Sequence, residues 1–342
     1  MTGIYGWTNQ QGGVHFYRVG EPIRVARENG IPADTGQQLD NAVCERYDTI
    51  LTHMLWDPHH SEAWRRLSDT GHHRLIFDID DAMWEPDWTP FRSAYTPQTL
   101  ERMFDNIRRA HVVTTPSPVI ADYISRYNPN VWVCPNTVPA SLLTMHMRTR
   151  PKPWPTPRRV PYVVGYQGSP SHEADWTLAV SRDILRFLET HREWTMHFWG
   201  PDEIPGWPAD RTGHTPWKAA VPDYYRSLSM DVGVGPLKYS PFNEAKSGLR
   251  AVEYAALGVP AVLSDAAPYT DPRTPGRIGQ VEHGVTGLLL GRRDSWWEAL
   301  HYLADNSAVR HQMGEAAKKR AAGWTTEANI GTWVDAWNSV GI

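Results

Sequence analysis

A chain of 342 residues is long for one domain and comfortable for two, and 41% hydrophobic with 21% charged residues is ordinary for a globular protein. The formal net charge of −4 gives no electrostatic case for nucleic acid or an anionic membrane as the main partner. Cys44 and Cys134 stand far apart, so neither a disulfide framework nor a zinc cluster is indicated, and a cytoplasmic location is expected. No signal peptide is expected at the first residues, and no apolar run approaches the ~20 residues that span a bilayer.

The first half of the chain alternates short apolar runs with helix-like patterns, which is typical of a parallel sheet flanked by helices. The apolar runs predict strands at residues 4–7, 49–55, 75–79, 111–115 and 131–134. A loop is predicted at residues 8–13, and helices are predicted at about 22–30, at 61–71, from 96 onward and at 118–126.

A basic segment at residues 148–161 contains five prolines, which disfavour helix and sheet and favour an extended connector over a recognition tail. The predicted divisions are therefore a first domain at 1–150, a linker at 151–161, a second domain at 162–322 and a terminal helix at 323–342.

Alternation of apolar runs and helix patterns restarts after the linker, so the second half is also α/β. Strands are predicted at residues 162–166, 195–199, 230–235, 261–264 and 287–290. Helices are predicted at residues 173–190, 223–228, 245–257, 295–304, 307–322 and 326–339.

One stretch, residues 239–265, reads as a loop, a helix and a buried strand in quick succession. The first turn of a helix carries unpaired N–H groups and partial positive charge, which suit a phosphate. Lys246 and Ser247 are predicted to lie in that turn, where the lysine would balance a diphosphate. Glu253, two turns further on, suits the diol of a ribose or sugar. The alternative is an ordinary amphipathic helix with a solvated lysine.

Residues 242–262 fit the pattern FNxxKSxLxxxEYAALGxPxV, which resembles the donor-binding segment of GT-B-fold glycosyltransferases, most closely a divergent branch of the family-4 retaining enzymes. The resemblance implies that Phe242 and Asn243 bind the donor together with Lys246, Ser247 and Glu253. It also implies two Rossmann-like domains whose parallel sheets face a central cleft, with a C-terminal helix crossing back to the first domain.

The sequence departs from the usual family pattern of two glutamates eight positions apart. Glu253 fits the second glutamate, but Ala245 occupies the first position and Glu244 lies one residue away. Which group replaces the first glutamate stays open.

Gly12 and Gly13 follow the first predicted strand, where a missing Cβ lets the backbone approach a ligand closely. In isolation they indicate a plain turn. The resemblance implies a glycine loop over the donor phosphates and the acceptor, with Gly12, Gly13, His15 and Tyr17 on the acceptor side.

Carboxylates cluster at Asp78, Asp80 and Asp81, where a predicted strand ends and α/β sheets bind ligands. A divalent metal, as in the D-x-D motif of GT-A enzymes, a general base, and simple capping or salt-bridging carboxylates are the alternatives. The resemblance places Asp80 or Asp81 in the acceptor cleft and implies no metal. Asn136, after another strand, is interpreted as structural.

The first strand of the second half leads to Gly168, Ser169 and His172, which are candidates to bind the β-phosphate ahead of a helix. Family-4 enzymes often carry an arginine and a lysine near here; both are absent, so His172 is the candidate replacement, its alternative being a polar helix-start residue. Pro236 and Leu237 offer an apolar shelf for a nucleotide base, or are simply where a strand leaves the core.

These features predict a glycosyltransferase that moves a sugar from a nucleoside diphosphate sugar to an acceptor hydroxyl. Lys246, Asp80, Asp81 and Gly13 are the predicted catalytic residues, and no cofactor is expected beyond the donor. Retention of configuration is implied by the resemblance. A GT-B-fold epimerase and a non-catalytic nucleotide-sugar binding protein are the alternatives. The acceptor (glycan, lipid, protein or modified nucleobase), the sugar, the base and the oligomeric state stay open.

Overall fold

The computed structural model describes residues 3–8, 12–85, 91–145, 161–168, 170–200, 207–218 and 220–339. In these residues two six-stranded parallel sheets form, one on each side of the predicted linker. The predicted α/β class is therefore confirmed. Residues 151–160 lie outside the described part of the chain.

The first sheet has the strand order β2-β1-β3-β4-β5-β6, with β1 in the middle pairing Ile4 with Ala33 on one side and Thr49 on the other. Its strands are β1 (Ile4–Trp7), β2 (Ala33–Gly36), β3 (Thr49–His53), β4 (Arg74–Asp78), β5 (Val112–Thr115) and β6 (Val131–Val133). Its helices are α1 (Gly13–His15), α2 (Glu21–Glu28), α3 (Asn41–Arg46), α4 (Pro58–Thr70), α5 (Pro97–Arg109), α6 (Pro118–Ile124) and α7 (Ser141–Thr144).

The second sheet has the order β12-β11-β10-β7-β8-β9. Its strands are β7 (Tyr162–Gln167), β8 (Trp194–Gly200), β9 (Thr212–Pro216), β10 (Val232–Gly235), β11 (Ala261–Ser264) and β12 (Gly287–Leu290). The helices are α8 (Leu178–Thr190), α9 (Val221–Ser227), α10 (Pro241–Glu244), α11 (Leu249–Ala256), α12 (Ala267–Thr270), α13 (Trp296–Asp305), α14 (Ser307–Ala321) and α15 (Thr326–Asn338).

Helices cover both faces of each sheet, as buried parallel strands require. In the first sheet, α4, α5 and α6 pack on one face, and α2 packs on the other face beside α15. The predicted return of the last helix is confirmed, because Trp333 and Trp337 of α15 are fully buried against the first sheet. In the second sheet, α8 and α13 share one face, and α9 and α11 lie on the other.

Two strands and the short helices α3, α7, α10 and α12 were not predicted from the sequence. β2 and β9 are edge strands with half-exposed sequences, ADTG and TGHTP, which lack the apolar run used to find the inner strands. The short helix α3 has no buried residue, so no apolar periodicity marks it.

Four predicted helices begin three or more residues from the predicted start. The helix predicted from residue 61 begins at Pro58, where the Asp57 carboxylate accepts the N–H of His60 and caps it. The helix predicted near residue 22 is the end of a longer helical segment that starts at Gly13. In this segment α1 continues through a π-helical stretch at Phe16–Gly20 into α2. The helix predicted from residue 173 begins at Leu178, where the Thr177 hydroxyl accepts the N–H of Val180 and caps it. The helix predicted at 245–257 begins only at Leu249, as α11, and a break at residues 245–248 separates it from the short helix α10 before it. No helix in the described ranges is long and apolar enough to cross a membrane.

Candidate functional site

An open cleft lies between the two sheets, where strands of both halves end. The first half contributes the turns after β5 and β6, including Ser117 and Asn136, and the second half contributes the segment between α10 and α11. Lys246 and Ser247 are therefore brought to the junction of the two halves.

The segment before α11 is held by Asn243 rather than by a continuous helix. The Asn243 amide donates to Asp175 Oδ1 at 2.6 Å and to the Lys238 carbonyl at 2.7 Å. α11 starts only at Leu249, after Gly248.

The prediction that Lys246 and Ser247 occupy the first turn of a helix is wrong. The chain is not helical between α10 and α11, and Gly248 in this segment lies against backbone: an added Cβ would be 2.6 Å from the Pro268 carbonyl oxygen and 3.0 Å from Gly279 Cα. The lysine and the serine stand on the loop that leads into α11.

Lys246 joins the two halves of the molecule. Its Nζ lies 3.2 Å from Asp81 Oδ1 in the first half and 4.3 Å from the centre of the Phe242 ring. Burial raises the pKa of Asp81 to about 6, with repulsion from Asp80 in the same direction and attraction to Lys246 opposing it. Two predicted catalytic residues, from opposite sides of the cleft, therefore meet.

Asp80 and Asp78 each face a different partner. His53 Nε2 lies 2.9 Å from Asp80 Oδ1. Burial alone would raise the pKa of Asp80, but His53, Arg18 and Lys246 together hold it below its ordinary value. Asp78 is fully buried and accepts two hydrogen bonds from Arg18, at 3.0 and 2.7 Å.

A buried hydrogen-bond chain connects Arg18 to the cleft. Arg18 donates to Asn136 Oδ1 at 2.9 Å, and Asn136 Nδ2 donates to Ser247 Oγ at 2.8 Å across the boundary between the halves. Asn136 shapes the cleft, as interpreted from the sequence, and it also positions a predicted donor-binding serine.

Glu253 and Tyr17 form a second contact across the boundary. The Tyr17 hydroxyl donates to Glu253 and lies 2.6 Å from the Tyr225 hydroxyl, while the Gln167 amide donates to the other carboxylate oxygen. Burial raises the pKa of Glu253 to about 7, against the opposing effects of Tyr17 and Arg250. Both carboxylate oxygens thus contact protein, and binding of a diol by Glu253 stays a prediction.

The three residues predicted to bind the β-phosphate differ in what the structure shows of them. Gly168 follows β7, and Ser169 lies outside the described residues. His172 Nδ1 lies 2.7 Å from Asp175 Oδ2, and burial together with Lys246 and Arg250 lowers the pKa of His172 to about 3. His172 is therefore neutral near pH 7 and does not supply a positive charge in the unliganded protein.

The predicted base shelf is buried in this structure. Pro236 and Leu237 follow β10, and the Leu237 N–H donates to Ser264 Oγ at 2.9 Å. Leu237 is 5% exposed within the second-half core, so its side chain is part of the packing there.

The glycine segment lies beside an aromatic residue of the second half. Gly12 has φ of 108°, a conformation that favours glycine. A Cβ on Gly13 would lie 3.3 Å from the Trp217 ring, so that ring covers the start of α1. His15 is half-buried, its Nδ1 has no hydrogen-bond partner in the described part of the chain, and burial followed by His53 lowers its pKa.

Several site residues were missed from the sequence. His53 ends a buried strand, the same signal that singled out Asp78, and so could have been found. Arg18 stands alone in a helix, and Gln167 and Arg250 carry no motif, so only their buried contacts identify them.

Solved structures match this architecture over the whole chain. HepE from Anabaena, in complex with UDP and glucose, is 13% identical with a TM-score of 0.64 and 100% coverage of both chains. Sucrose-phosphate synthase from Thermosynechococcus elongatus is 14% identical with a TM-score of 0.65 and 98% coverage of both. The chain has the GT-B fold.

A glycosyltransferase from Rickettsia africae extends the likeness at 10% identity and a TM-score of 0.63, covering 98% of this chain and 97% of that one. No protein-family model and no curated protein matches the chain. The GT-B fold is thus identified by comparison of tertiary structures and not of sequences, and the family-4 resemblance stays a prediction.

Proposed function

We propose that this protein is a glycosyltransferase that moves a sugar from a nucleoside diphosphate sugar to an acceptor hydroxyl. The observation that carries the proposal is the meeting of Lys246 and Asp81 at 3.2 Å across the cleft of a GT-B fold. Neighbouring structures that hold UDP with glucose or UDP-glucose support a nucleotide sugar as the donor.

The leaving group in this reaction is a nucleoside diphosphate, whose negative charge grows as the bond from its oxygen to the anomeric carbon breaks. Lys246 supplies the compensating charge, and Ser247, held by Asn136, supplies a hydroxyl beside it. The acceptor oxygen forms the new bond to the anomeric carbon.

Asp81 is the candidate general base that accepts the proton of the acceptor hydroxyl. Its raised pKa, about 6, makes it a stronger base than an ordinary aspartate and still leaves it largely ionised at pH 7. Binding of a diphosphate to Lys246 would free Asp81 for the acceptor. The ion pair between the two residues would then be replaced by a contact of Lys246 with the diphosphate and a contact of Asp81 with the acceptor hydroxyl.

Metal independence is part of the proposal. Asp78 is paired with Arg18, Asp80 with His53 and Asp81 with Lys246, so each carboxylate of the cluster already has a cationic or imidazole partner. We expect transfer to continue in EDTA at a temperature well below the unfolding transition. Loss of activity in EDTA and recovery with Mn²⁺ would instead support a metal site at the aspartates.

The test is a thermal-shift screen against nucleotide sugars, followed by turnover assays with the donor that binds. Ligand at 100 times its Kd stabilises the folded state by about 2.7 kcal/mol, a readily measured shift. Release of free nucleoside diphosphate that depends on an added acceptor supports the proposal. No shift with any nucleotide sugar would overturn it.

A second candidate is a non-catalytic nucleotide-sugar binding protein, favoured by Ala245 at the position of the first glutamate. It predicts a thermal shift without release of nucleoside diphosphate for any acceptor. Interconversion of the sugar without an acceptor would indicate an epimerase.

A further inference from the structure

Three potential metal ligands meet on the second half of the molecule, outside the cleft. His191 ends α8, and His301 and Asp305 lie one turn apart on α13. His191 Nε2 is 3.1 Å from His301 Nδ1 and 3.5 Å from Asp305 Oδ1, and His301 Nδ1 is 3.6 Å from Asp305 Oδ2. None of the three lines the cleft.

These separations are close to those between neighbouring ligand atoms of a tetrahedral metal site. Zinc binds imidazole nitrogen and carboxylate oxygen at about 2.0–2.2 Å, so neighbouring ligand atoms of a tetrahedral site lie about 3.3–3.6 Å apart. The distance between the two imidazole nitrogens is within about 0.2 Å of that range, and each nitrogen lies at such a distance from one oxygen of Asp305. The two oxygens differ, and one ligand atom from each residue gives a set within 4.8 Å, so the exposed carboxylate turns about its own bonds while the helices stay in place.

The hydrogen bonds of His191 leave the appropriate nitrogen for a metal. Its Nδ1 lies 3.0 Å from Thr190 Oγ1 and 3.2 Å from the Phe187 carbonyl oxygen. The carbonyl only accepts and the Thr190 hydroxyl donates to backbone carbonyls, so the proton is assigned to Nδ1. Nε2 then presents its lone pair to His301 and Asp305. Metal-bound histidines are commonly oriented in this way, by a backbone carbonyl on the second nitrogen.

Aromatic rings hold both imidazoles in place. Phe187 stacks on His191 at 4.4 Å between ring centres, and Trp297 stacks on His301 at 4.8 Å. The Trp297 indole also donates to Thr190 Oγ1 at 3.3 Å, which ties α13 to the end of α8. Little side-chain freedom therefore has to be lost when an ion binds.

We propose that His191, His301 and Asp305 bind one divalent transition metal ion, zinc above all, which clamps the end of α8 to α13. The side chains of His301 and Asp305 are 42% and 57% exposed, so a water molecule completes the coordination from the solvent side. The alternative is a plain hydrogen bond between the two imidazoles with a solvated carboxylate. The clamp is independent of the proposed transfer reaction, whose test it neither needs nor affects.

The experiment measures zinc binding to the full chain after EDTA treatment and desalting, by competition with a chromophoric chelator. The variants are His301→Phe, which keeps a ring against Trp297, and Asp305→Asn; His311→Phe, on the exposed surface of α14, is the matched control. We expect one zinc ion per chain in the wild type and the control. In both site variants we expect the zinc affinity to fall by a factor on the order of ten or more relative to the wild type.

Thermal unfolding gives a second reading. Zinc should raise Tm in the wild type and in the His311→Phe variant, and should leave Tm unchanged in the His301→Phe variant, because only a metal-bound folded state is stabilised by mass action. Tetrahedral Co²⁺ absorption bands, lost in the same variants, would identify the geometry. Absence of zinc binding in the wild type, or equal binding in His301→Phe, would overturn the proposal.

Discussion

At the scale of single residues, the site depends on charges from the two halves of the chain that neutralise each other. Lys246 lines the cleft and pairs with Asp81, and the side chains are 12% and 25% exposed, so neither is fully shielded from solvent. An incoming diphosphate can compete for the lysine because it carries more negative charge than one carboxylate.

Replacing Lys246 by methionine removes the charge that, in the proposed reaction, would stabilise the leaving group, and it keeps most of the side-chain volume. We expect about a hundredfold or greater loss of nucleoside diphosphate release, as for the loss of one oxyanion contact in other enzymes. The matched control is Lys238→Met, at an exposed lysine near the same loop, which should keep normal turnover. Near-normal activity of the Lys246 variant would remove the lysine from the mechanism.

Glu253 should make stability depend on pH in the direction opposite to an ordinary ion-paired glutamate. Burial raises its pKa from 4.5 to about 7, so between these values the folded protein keeps a proton that the unfolded chain has released. Its stabilising contribution is complete below about pH 4.5 and is lost as the pH rises through 7.

Urea unfolding of the wild type and of Glu253→Gln at pH 5 and pH 7.5 would measure this effect. Relative to the wild type, the variant should gain roughly 2.4 kcal/mol over that interval, at 1.36 kcal/mol per pKa unit. Glu189→Gln, at an exposed glutamate, should follow the wild type at both pH values. A constant difference between Glu253→Gln and the wild type would show that the carboxyl is already ionised in the folded state.

At the scale of elements, the break between α10 and α11 decides where the cleft residues stand. Apolar spacing predicts one helix over residues 245–257, since Leu249, Val252 and Ala256 share a face. The helix instead begins four residues later than predicted, at Leu249, directly after Gly248 has packed against the backbone at Gly279, and no local pattern reports such a contact.

Gly248→Ala should therefore displace the loop that carries Lys246 and Ser247. The added Cβ would lie 2.6 Å from a carbonyl oxygen, and overpacking of this kind costs about 1–3 kcal/mol of stability. Nucleotide-sugar affinity should weaken as well, measured by calorimetric titration. Gly331→Ala, within α15 and with nothing within 4 Å of the added Cβ, should instead stabilise the protein by about 0.5–1 kcal/mol.

At the scale of the whole molecule, the last helix, α15, packs against and stabilises the first half of the chain, although it follows the second half in sequence. Trp333 is 1% exposed against the first sheet, and the Arg18 guanidinium lies 4.5 Å from the centre of its ring. Arg18 in turn holds Asp78 and Asn136, so the terminal helix supports the first-half wall of the cleft.

Trp333→Ala should lower the free energy of unfolding by about 3–5 kcal/mol, through a large cavity and the loss of the Arg18 contact. Donor binding should weaken too, because Arg18 positions the Asn136–Ser247 contact. Leu178→Ala, at a side chain 86% exposed, is the control and should change neither quantity much. Unchanged donor affinity in a folded Trp333 variant would separate the terminal helix from the cleft.

The sequence by itself determined the alternation of strands and helices, because buried parallel strands and amphipathic helices leave local apolar patterns. Strands β1, β11 and β12 have the predicted bounds, and the last helix begins at the predicted residue. The polar residues that end strands, such as Asp78 and Asp80, were visible for the same reason.

Only the tertiary structure decided which of those residues meet. The pairs Lys246–Asp81, Tyr17–Glu253 and His191–His301 join positions 165, 236 and 110 residues apart, and the first two cross between separate sheets. Periodicity reports burial along one element, whereas contacts of this kind arise from the packing of elements against each other. The fold class could therefore be predicted locally, but the arrangement of charges in the cleft could not.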